Sequence, residues 1–385
     1  MELLRVAFIG TYPPTQCGIA TFTAALRKSM APGIDLLASP VIRVRDPRDA
    51  SSPSKADDAV LEWVHGDSQG LDEIVRAIDD VDVLVVNHEY GIFDGPEGSA
   101  IVELLDRVST PAIAVLHTVL SDPTPLQRTI LEAIAERVDA VVAQSQAARR
   151  RLLGHFAIDP NRVDVIPHGA APNFDGPTER RTEHPLVLTW GLIGPGKGLE
   201  CAIDAMALLD DLDPAPVYLI AGETHPKVRA TDGERYRCSL QRRVEARGIG
   251  GRVRFDARYR DLDELGALIR SCDIVLLPYQ SRDQITSGVL VEALASGKPV
   301  VATAFPHARE VLASGAGDIV THDDPAAMAS GVRAFLEQPE RAELARQHAR
   351  RIGQSFFWPS VGGAYVDLAR RVRYVATPPL IALSS

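Results

Sequence analysis

The sequence has few cysteines, no long hydrophobic run and no basic leader, and each shortage excludes a class of protein. Its 385 residues include four cysteines and no C-x-x-C pair, so neither a zinc site nor a disulfide framework is expected, and a reducing compartment fits. Apolar runs such as VDVLVV are far shorter than the roughly 20 residues of a membrane helix. No basic region followed by a long apolar stretch opens the chain, so no secretory signal is expected. The sequence therefore predicts a cytoplasmic protein without a transmembrane segment.

Positive charge is also scarce. The chain has 41 basic and 51 acidic residues, which gives a formal net charge of −10. Sequence-independent binding to nucleic acid needs clustered positive charge, so no nucleic-acid partner is expected. Only five of the basic residues are lysines, and Lys197 is one of them. The run Arg149–Arg151 could touch a phosphate or a membrane surface, but a solvated helix face is the better interpretation.

Short runs of Val, Ile and Leu recur along the chain, with amphipathic helical patterns between them. Continuous hydrophobicity indicates strands covered on both faces, and their alternation with helices indicates parallel sheets. The runs are LLRVAFIG, VDVLVVN, AIAVLH, DAVVAQS and VDVIPHG in the first half, and LVLTWG, VYLIAG, RVRFDA, DIVLLPY, KPVVAT and DIV in the second. The pattern predicts two open α/β domains with a ligand cleft between them.

Two polar stretches lack periodicity. Residues 45–58 are predicted to form a mobile loop. Residues 171–185 contain three prolines and lie between the two series of strands and helices, so they are predicted to be the interdomain linker. This division gives an N-terminal domain over 1–170, a C-terminal domain over 186–355, and a helix and tail over 356–385.

Glycine-rich segments follow two of the predicted strands, where open parallel sheets bind their ligands. Gly18 opens a helix and would expose its backbone N–H groups to a phosphate. The segment WGLIGPGKG matches the P-loop pattern at Gly191, Gly196 and Lys197, but Gly198 occupies the position of the hydroxyl residue that binds Mg²⁺. A P-loop NTPase is therefore not expected. A strand, a glycine-rich turn, a lysine and a helix start still predict a phosphate site.

Polar residues follow two other strands of the first half. His88, Glu89 and Tyr90 come directly after one strand, and His117 comes after another. A single histidine is more often structural than catalytic, but two at the carboxyl ends of strands favour a site.

The segment QITSGVLVEALASG predicts an apolar helix with a polar start. Thr286 or Ser287 is the predicted N-cap, so the amides of Ser287 and Gly288 would point outward at an anion. Gln284 lies before the helix and Glu292 lies within it. The Glu292 carboxylate could accept hydrogen bonds from ribose hydroxyls, or it could simply face solvent.

Taken in order, PPTQCGIATFT, VIPHG, GPGKG and SGVLVEALASGKPVVAT resemble segments of the retaining glycosyltransferases of family 4 (glycosyl transferases group 1). The resemblance covers nearly the whole chain. It implies the GT-B fold, an α/β architecture of two Rossmann-like parallel-sheet domains facing a central cleft. It also implies transfer of a hexosyl group from a nucleotide-diphosphate sugar, of the GDP-mannose or UDP-glucose type, without a metal or other cofactor. The acceptor could be a saccharide, a lipid-linked molecule or a small molecule, and a lipid acceptor would allow peripheral membrane contact.

The resemblance also implies roles for individual residues, with the donor on the C-terminal domain and the acceptor on the N-terminal domain. The implied donor-binding residues are Gly18, Lys197, Ser287, Gly288, Val289 and Glu292. The implied catalytic residues are His117 and Gln284, and the acceptor-side candidates are His88, Glu89 and Tyr90.

Two positions depart from the family pattern. Leu192 stands where an arginine usually accompanies the lysine, and Arg282 or Arg309 could replace that charge. Gln284 stands where the first carboxylate of an E-x7-E pair is usual. The segments GETHPKVRATDGERYR and NHEYGIF indicate a distinct branch of the family. These departures keep open a non-catalytic relative that binds sugar nucleotides. A disaccharide phosphorylase of the same fold, which would take inorganic phosphate instead of a nucleotide donor, is a further alternative.

Overall fold

A computed structural model describes the chain over residues 2–47, 60–67, 70–177 and 183–376. Most of the predicted loop 45–58 therefore lies outside the described residues.

The chain folds into two compact units. The first unit comprises residues 1–169 and 358–385, and the second comprises residues 170–357. The start of the segment predicted as linker lies with the second unit, where the Nδ2 of Asn173 donates a hydrogen bond to the Oγ of Ser296 over 3.0 Å.

The first unit is built on a seven-stranded parallel sheet in the order β3-β2-β1-β4-β5-β6-β7. Its strands are β1 (Val6–Gly10), β2 (Val41–Arg45), β3 (Val60–Val64), β4 (Val83–His88), β5 (Ala112–Leu116), β6 (Ala140–Ala143) and β7 (Val163–Val165). Its first five helices are α1 (Gly18–Met30), α2 (Leu71–Asp79), α3 (Ala100–Arg107), α4 (Pro125–Arg137) and α5 (Gln146–His155). Every residue of β1, β4, β5 and β6 is buried, as their continuous hydrophobicity predicts.

The strands β2 and β3 were not predicted. Arginines interrupt the apolar pattern of β2, yet Arg43 is fully buried there. Its guanidinium pairs with Glu62 of β3 over 3.0 Å and donates to the Oγ1 of Thr15 over 2.9 Å. A buried charge of this kind is stable only with such partners, which a strand pattern in sequence does not reveal.

The second unit is built on a six-stranded parallel sheet in the order β10-β9-β8-β11-β12-β13. Its strands are β8 (Leu186–Trp190), β9 (Val217–Ala221), β10 (Val253–Asp256), β11 (Ile274–Leu277), β12 (Val300–Thr303) and β13 (Gly317–Val320). Its helices are α6 (Leu199–Ala207), α7 (Pro226–Asp232), α8 (Arg235–Ala246), α9 (Leu262–Ser271), α10 (Gly288–Ala295), α11 (Pro306–Leu312), α12 (Pro325–Glu337) and α13 (Pro339–Gly353).

The last helix, α14 (Trp358–Ala376), belongs to the first unit and packs against α1. Its buried face contributes Val361, Tyr365, Val366, Leu368, Ala369 and Val372 to the core of that unit. None of the helices in the described ranges is long and apolar enough to span a membrane.

The strand order reverses once in each sheet, between β1 and β4 in the first unit and between β8 and β11 in the second. Ligands of open α/β sheets bind beside such reversals, at the carboxyl ends of the strands. The loops after these four strands contain most of the candidate residues that the sequence singles out.

Candidate functional site

The glycine-rich turn 191–198 follows β8 at the reversal in the second sheet. Gly196 and Gly198 have φ values of 86° and 67°, in the region that favours glycine. A Cβ on Gly198 would lie only 1.8 Å from the carbonyl oxygen of Pro278, in the loop after β11. The position at which a P-loop carries a hydroxyl therefore admits only glycine, because the turn lies directly against the next loop.

Lys197 extends from this turn over an aromatic ring. Its Nζ lies 4.7 Å from the ring centroid of Tyr279, which is buried after β11. The face of an aromatic ring attracts a cation without neutralising its charge. Within the described ranges no carboxylate forms an ion pair with this ammonium, so its charge is available to an anionic ligand.

The start of α10 differs in one respect from the sequence prediction. Ser287 is the N-cap, and its Oγ accepts a hydrogen bond from the amide of Leu290 over 3.2 Å. Its own amide was expected to point outward, and this expectation is wrong: the amide donates to the Nδ1 of the buried His307 over 2.9 Å. Gly288 and Val289 follow in the first turn, where helix geometry provides their amides with no acceptor. These two amides are the ones that can meet an anion.

Gln284 lies in the loop before α10 and is half-buried. Its Nε2 donates to the backbone carbonyl of Thr286 over 2.6 Å. This hydrogen bond fixes the direction of the amide and turns its oxygen, an acceptor for hydroxyl groups, away from Thr286.

Glu292 is held by a partner that the sequence did not reveal. The indole Nε1 of Trp190, the last residue of β8, donates to the Oε2 of Glu292 over 2.9 Å. Burial raises the pKa of Glu292, while the hydrogen bond from Trp190 acts in the opposite direction by stabilising the ionised form. The carboxylate therefore has a fixed orientation at the same edge of the sheet as the glycine-rich turn.

The two arginines considered as replacements at Leu192 are both exposed. Arg282 lies in the loop before α10, and Arg309 donates from Nε to the carbonyl of Ala304 over 2.9 Å. That either one replaces the missing charge stays a prediction.

The segment after β9 anchors the glycine-rich turn. The amide of His225 donates to the carbonyl of Ile193 over 2.8 Å, and the amide of Ile193 donates to the carbonyl of Glu223 over 2.8 Å. Arg237, which is buried on α8, donates to the carbonyl of Gly222 over 2.7 Å. The segment GETHPKVRATDGERYR thus braces the turn that presents Lys197.

In the first unit, His117 lies between two side-chain amides. Its Nε2–H donates to the Oδ1 of Asn87 and its Nδ1 accepts from the Nε2 of Gln144, both over 3.1 Å. Burial, with smaller contributions from His168 and His88, lowers the pKa of His117 to about 3. The imidazole is therefore neutral at physiological pH and both of its nitrogens are engaged. It can present a fixed polar surface, but no free lone pair to accept a proton.

Aromatic rings surround this histidine. The Phe22 ring meets the His117 ring edge-on at 4.8 Å and lies 5.0 Å from the ring of His168. Trp358 of α14 lies 5.5 Å from Phe22. His168 donates from Nδ1 to the carbonyl of Gly169 over 2.7 Å, and burial lowers its pKa to about 4.

The acceptor-side candidates differ in exposure. His88 is 0% exposed, edge-on to Tyr90 at 5.1 Å and stacked on Phe93 at 6.4 Å. Neither of its ring nitrogens has a hydrogen-bond partner among the described residues, and burial lowers its pKa to about 4. His88 and Tyr90 are therefore both buried, and their place on the acceptor side stays a prediction. Glu89 is half-buried and accepts a hydrogen bond from the hydroxyl of Thr118, which makes it the accessible member of the three.

Gly18 is the first residue of α1 and is exposed. A Cβ there would meet no atom of the described residues within 4 Å, so packing against them does not account for the glycine. The Sγ of Cys17 caps the helix by accepting from the amide of Ala20 over 3.3 Å. The preceding loop is fixed by the hydrogen bond from Arg43 to Thr15.

The run Arg149–Arg151 lies on α5. Arg149 and Arg151 donate to backbone carbonyls of the same unit, Arg149 to that of Pro160 and Arg151 to that of Val119, over 3.3 and 3.0 Å. These two arginines brace loops rather than form a free cationic patch.

Two family patterns match the chain and together span residues 43–352. Residues 43–174 match the family described as Glycosyltransferase Family 4, and residues 172–352 match Glycosyl transferases group 1. The chain belongs to glycosyltransferase family 4.

The names of curated relatives of this glycosyltransferase refer to inositol derivatives. The chain is 28% identical to a D-inositol 3-phosphate glycosyltransferase of Jonesia denitrificans, over 71% of the chain and 69% of that protein. It is 32% identical to a phosphatidyl-myo-inositol mannosyltransferase of Mycolicibacterium smegmatis, over 61% of the chain and 58% of that protein.

Solved structures share the GT-B fold of this glycosyltransferase. The Anabaena protein HepE in complex with UDP has a TM-score of 0.74 at 17% identity, over 96% of this chain and 100% of that one. A glycosyltransferase from Rickettsia africae has a TM-score of 0.76 at 14% identity, over 97% of this chain and 99% of that one. These likenesses confirm the predicted fold class of two Rossmann-like α/β domains.

Several residues at the candidate site of this glycosyltransferase were not found from sequence. Asn87 and Gln144 lie at the carboxyl ends of β4 and β6, so the rule that found His117 could have found them. In the sequence, Trp190 and Tyr279 look like ordinary core residues. No local motif marks His307, because its role is to accept a hydrogen bond from the amide of Ser287, which is distant in sequence.

Proposed function

We propose that this glycosyltransferase moves a hexosyl group from a nucleotide-diphosphate sugar to a hydroxyl group of an acceptor, with retention of configuration and without a metal ion. The bond from the anomeric carbon to the diphosphate breaks, and the acceptor oxygen bonds to that carbon on the same face. The proton of the acceptor hydroxyl leaves with the nucleoside diphosphate.

One observation carries the proposal. The carboxyl edge of the second sheet has a lysine, the first amides of a helix and an oriented carboxylate, and neither the lysine ammonium nor these amides have a hydrogen-bond or ion-pair partner among the residues that the structure describes. Lys197 and the amides of Gly288 and Val289 suit a diphosphate. Glu292 suits the hydroxyl groups of a ribose. The positive charge of Lys197 and the helix start would stabilise the departing diphosphate, which is the work that a metal does in other enzymes.

The names of the similar proteins support a nucleotide-sugar donor. The HepE structures hold UDP and, in another crystal, UDP-glucose, and the Mycolicibacterium relative is named a mannosyltransferase. We therefore propose UDP-glucose or GDP-mannose as the donor type.

The remaining candidates have supporting roles in this proposal. Gln284 would accept a hydrogen bond from a hydroxyl of the transferred sugar through its free amide oxygen. His117, neutral and engaged at both nitrogens, would contribute a polar wall rather than take up a proton. Glu89 would accept a hydrogen bond from the acceptor. A cytoplasmic location, and peripheral membrane contact with a lipid acceptor, stay predictions.

The test is release of nucleoside diphosphate by the purified full chain from a panel of sugar nucleotides, with and without EDTA. We expect turnover with UDP-glucose or GDP-mannose that EDTA does not abolish. Binding of the donor without turnover would instead favour the non-catalytic alternative. Cleavage of a disaccharide that requires inorganic phosphate would favour the phosphorylase, and loss of all turnover in EDTA would contradict metal independence.

A further inference from the structure

Trp190 stands apart from the other core residues of the second unit because its one polar atom is directed at the candidate site. The residue is 6% exposed and ends β8, and the glycine-rich turn begins at the next position. Its indole Nε1 donates to the Oε2 of Glu292 on α10 over 2.9 Å. A single side chain thus connects the strand that carries the diphosphate turn to the helix that carries the carboxylate.

The carboxylate that it binds has no other strong partner. Within the described ranges no arginine or lysine forms an ion pair with Glu292, and the indole is its hydrogen-bond donor. An ionised carboxylate offers about four acceptor positions, so a single N–H leaves most of them open. A half-buried carboxylate with open acceptor positions favours contact with further neutral hydrogen-bond donors. The two adjacent hydroxyl groups of a ribose are donors of this kind.

The neighbours of Glu292 on α10 explain why orientation matters. Val291 and Ala293 on either side of it are buried, so the helix itself cannot turn to adjust the carboxylate. The side chain can still rotate, and a charged hydrogen bond to a rigid buried ring selects one rotamer.

We propose that Trp190 is a specificity-determining positioning residue: by orienting Glu292 it lets the site select nucleotides that carry ribose hydroxyls. This inference rests on the proposed nucleotide-sugar function and goes beyond it. The single N–H of the indole is already engaged by Glu292, so Trp190 acts through the carboxylate. Its loss should therefore reduce discrimination between ribose and dideoxyribose nucleotides rather than nucleotide affinity in general.

The test compares binding of UDP and GDP with binding of their 2′,3′-dideoxy analogues by calorimetry. The variants are Trp190→Phe, which keeps a ring but removes the N–H, Glu292→Gln, and the double variant. Trp63→Phe, at a buried tryptophan of the first unit, is the matched control. Thermal unfolding of each variant checks that it is folded.

The expected result for the wild-type chain and the control is clear preference for the ribonucleotide. Trp190→Phe should lower that preference about tenfold, as expected for loss of a hydrogen bond to a charged group, while the dideoxy affinity stays within about twofold. The double variant should discriminate no less than Glu292→Gln alone. Unchanged preference in Trp190→Phe, or equal weakening of both nucleotides, would overturn the inference while leaving the proposed function intact.

Wild-type protein provides a second measurement in case Trp190→Phe does not fold. The chain has three tryptophans, so its indole N–H spectrum should contain three resonances, which Trp63→Phe and Trp358→Phe assign. The Trp190 resonance should shift with UDP or GDP and much less with the dideoxy analogue. Equal shifts would overturn the inference, and failure of the wild-type chain to bind any of these nucleotides would overturn the proposed function together with it.

Discussion

Lys197 shows how a single residue can keep its charge free. An aromatic ring, rather than a carboxylate, lies under its ammonium. We expect Lys197→Ala to weaken binding of UDP or GDP by about 10- to 100-fold, because a charged contact to the diphosphate is lost. Calorimetric titration measures this. Lys28→Ala, which removes an exposed lysine in the last turn of α1, is the control and should bind like the wild type. Equal affinities in both variants would remove Lys197 from the site.

The buried side chain of His88 makes the stability of the folded chain depend on pH. Burial lowers its pKa from 6.5 to about 4, so the folded chain keeps it neutral while the unfolded chain takes up a proton below pH 6.5. The stability that comes from this difference is present above pH 6.5 and is lost as the pH falls toward 4, by up to about 3 kcal/mol. His88→Leu should therefore reduce the slope of the free energy of unfolding against pH by the equivalent of one proton between pH 6.5 and 4. Urea unfolding at pH 7, 6, 5 and 4 measures it, and an unchanged slope would contradict the assignment.

At the scale of elements, the glycine-rich turn depends on one close approach. A Cβ at Gly198 would collide with the carbonyl of Pro278, whereas a Cβ at Gly196 would meet none of the described atoms within 4 Å, although both have positive φ. Gly198→Ala should therefore displace the turn and lower nucleotide affinity at least tenfold. Gly196→Ala should cost only about 1 kcal/mol of backbone strain. Measuring the nucleotide affinity and melting temperature of both variants checks this. Similar losses of affinity in the two variants would show that the positive φ, rather than the collision, determines the effect.

The elements also show what sequence patterns can and cannot predict. Continuous apolar runs predicted strands such as β4 and β11 because burial on both faces leaves a local signature. Arg43 concealed β2, since its stability depends on Glu62 and Thr15, which are distant in sequence. The same limit applies at the candidate site, where local motifs predicted Lys197 and Glu292 but not their neighbours. The indole of Trp190 and the imidazole of His307 act through partners about 100 and 20 residues away, with no local pattern.

At the scale of the whole molecule, the helix α14 completes the first unit although the second unit precedes it in the sequence. Gly362 of α14 lies so close to α1 that a Cβ would fall 2.4 Å from the carbonyl oxygen of Ser29. A Cβ on Gly363 would meet no atom within 4 Å in the part of the chain that the structure describes. Gly362→Ala should destabilise the first unit by about 1–3 kcal/mol through overpacking. Gly363→Ala should be neutral or stabilise it by up to about 1 kcal/mol through helix propensity. Chemical unfolding of the two variants separates these effects, and equal changes would contradict the close packing.

The division of the chain also sets a schedule for its synthesis. The second unit is one continuous stretch, 170–357, and interrupts the first, whose last helix is translated after it. At roughly 5–20 residues per second, a ribosome takes about 10–40 s to pass from the end of β7 to the start of α14. During that interval the apolar face of α1 lacks its partner, while the second unit can already fold. The nascent first unit is therefore the part of this glycosyltransferase that most needs protection from aggregation as it is made.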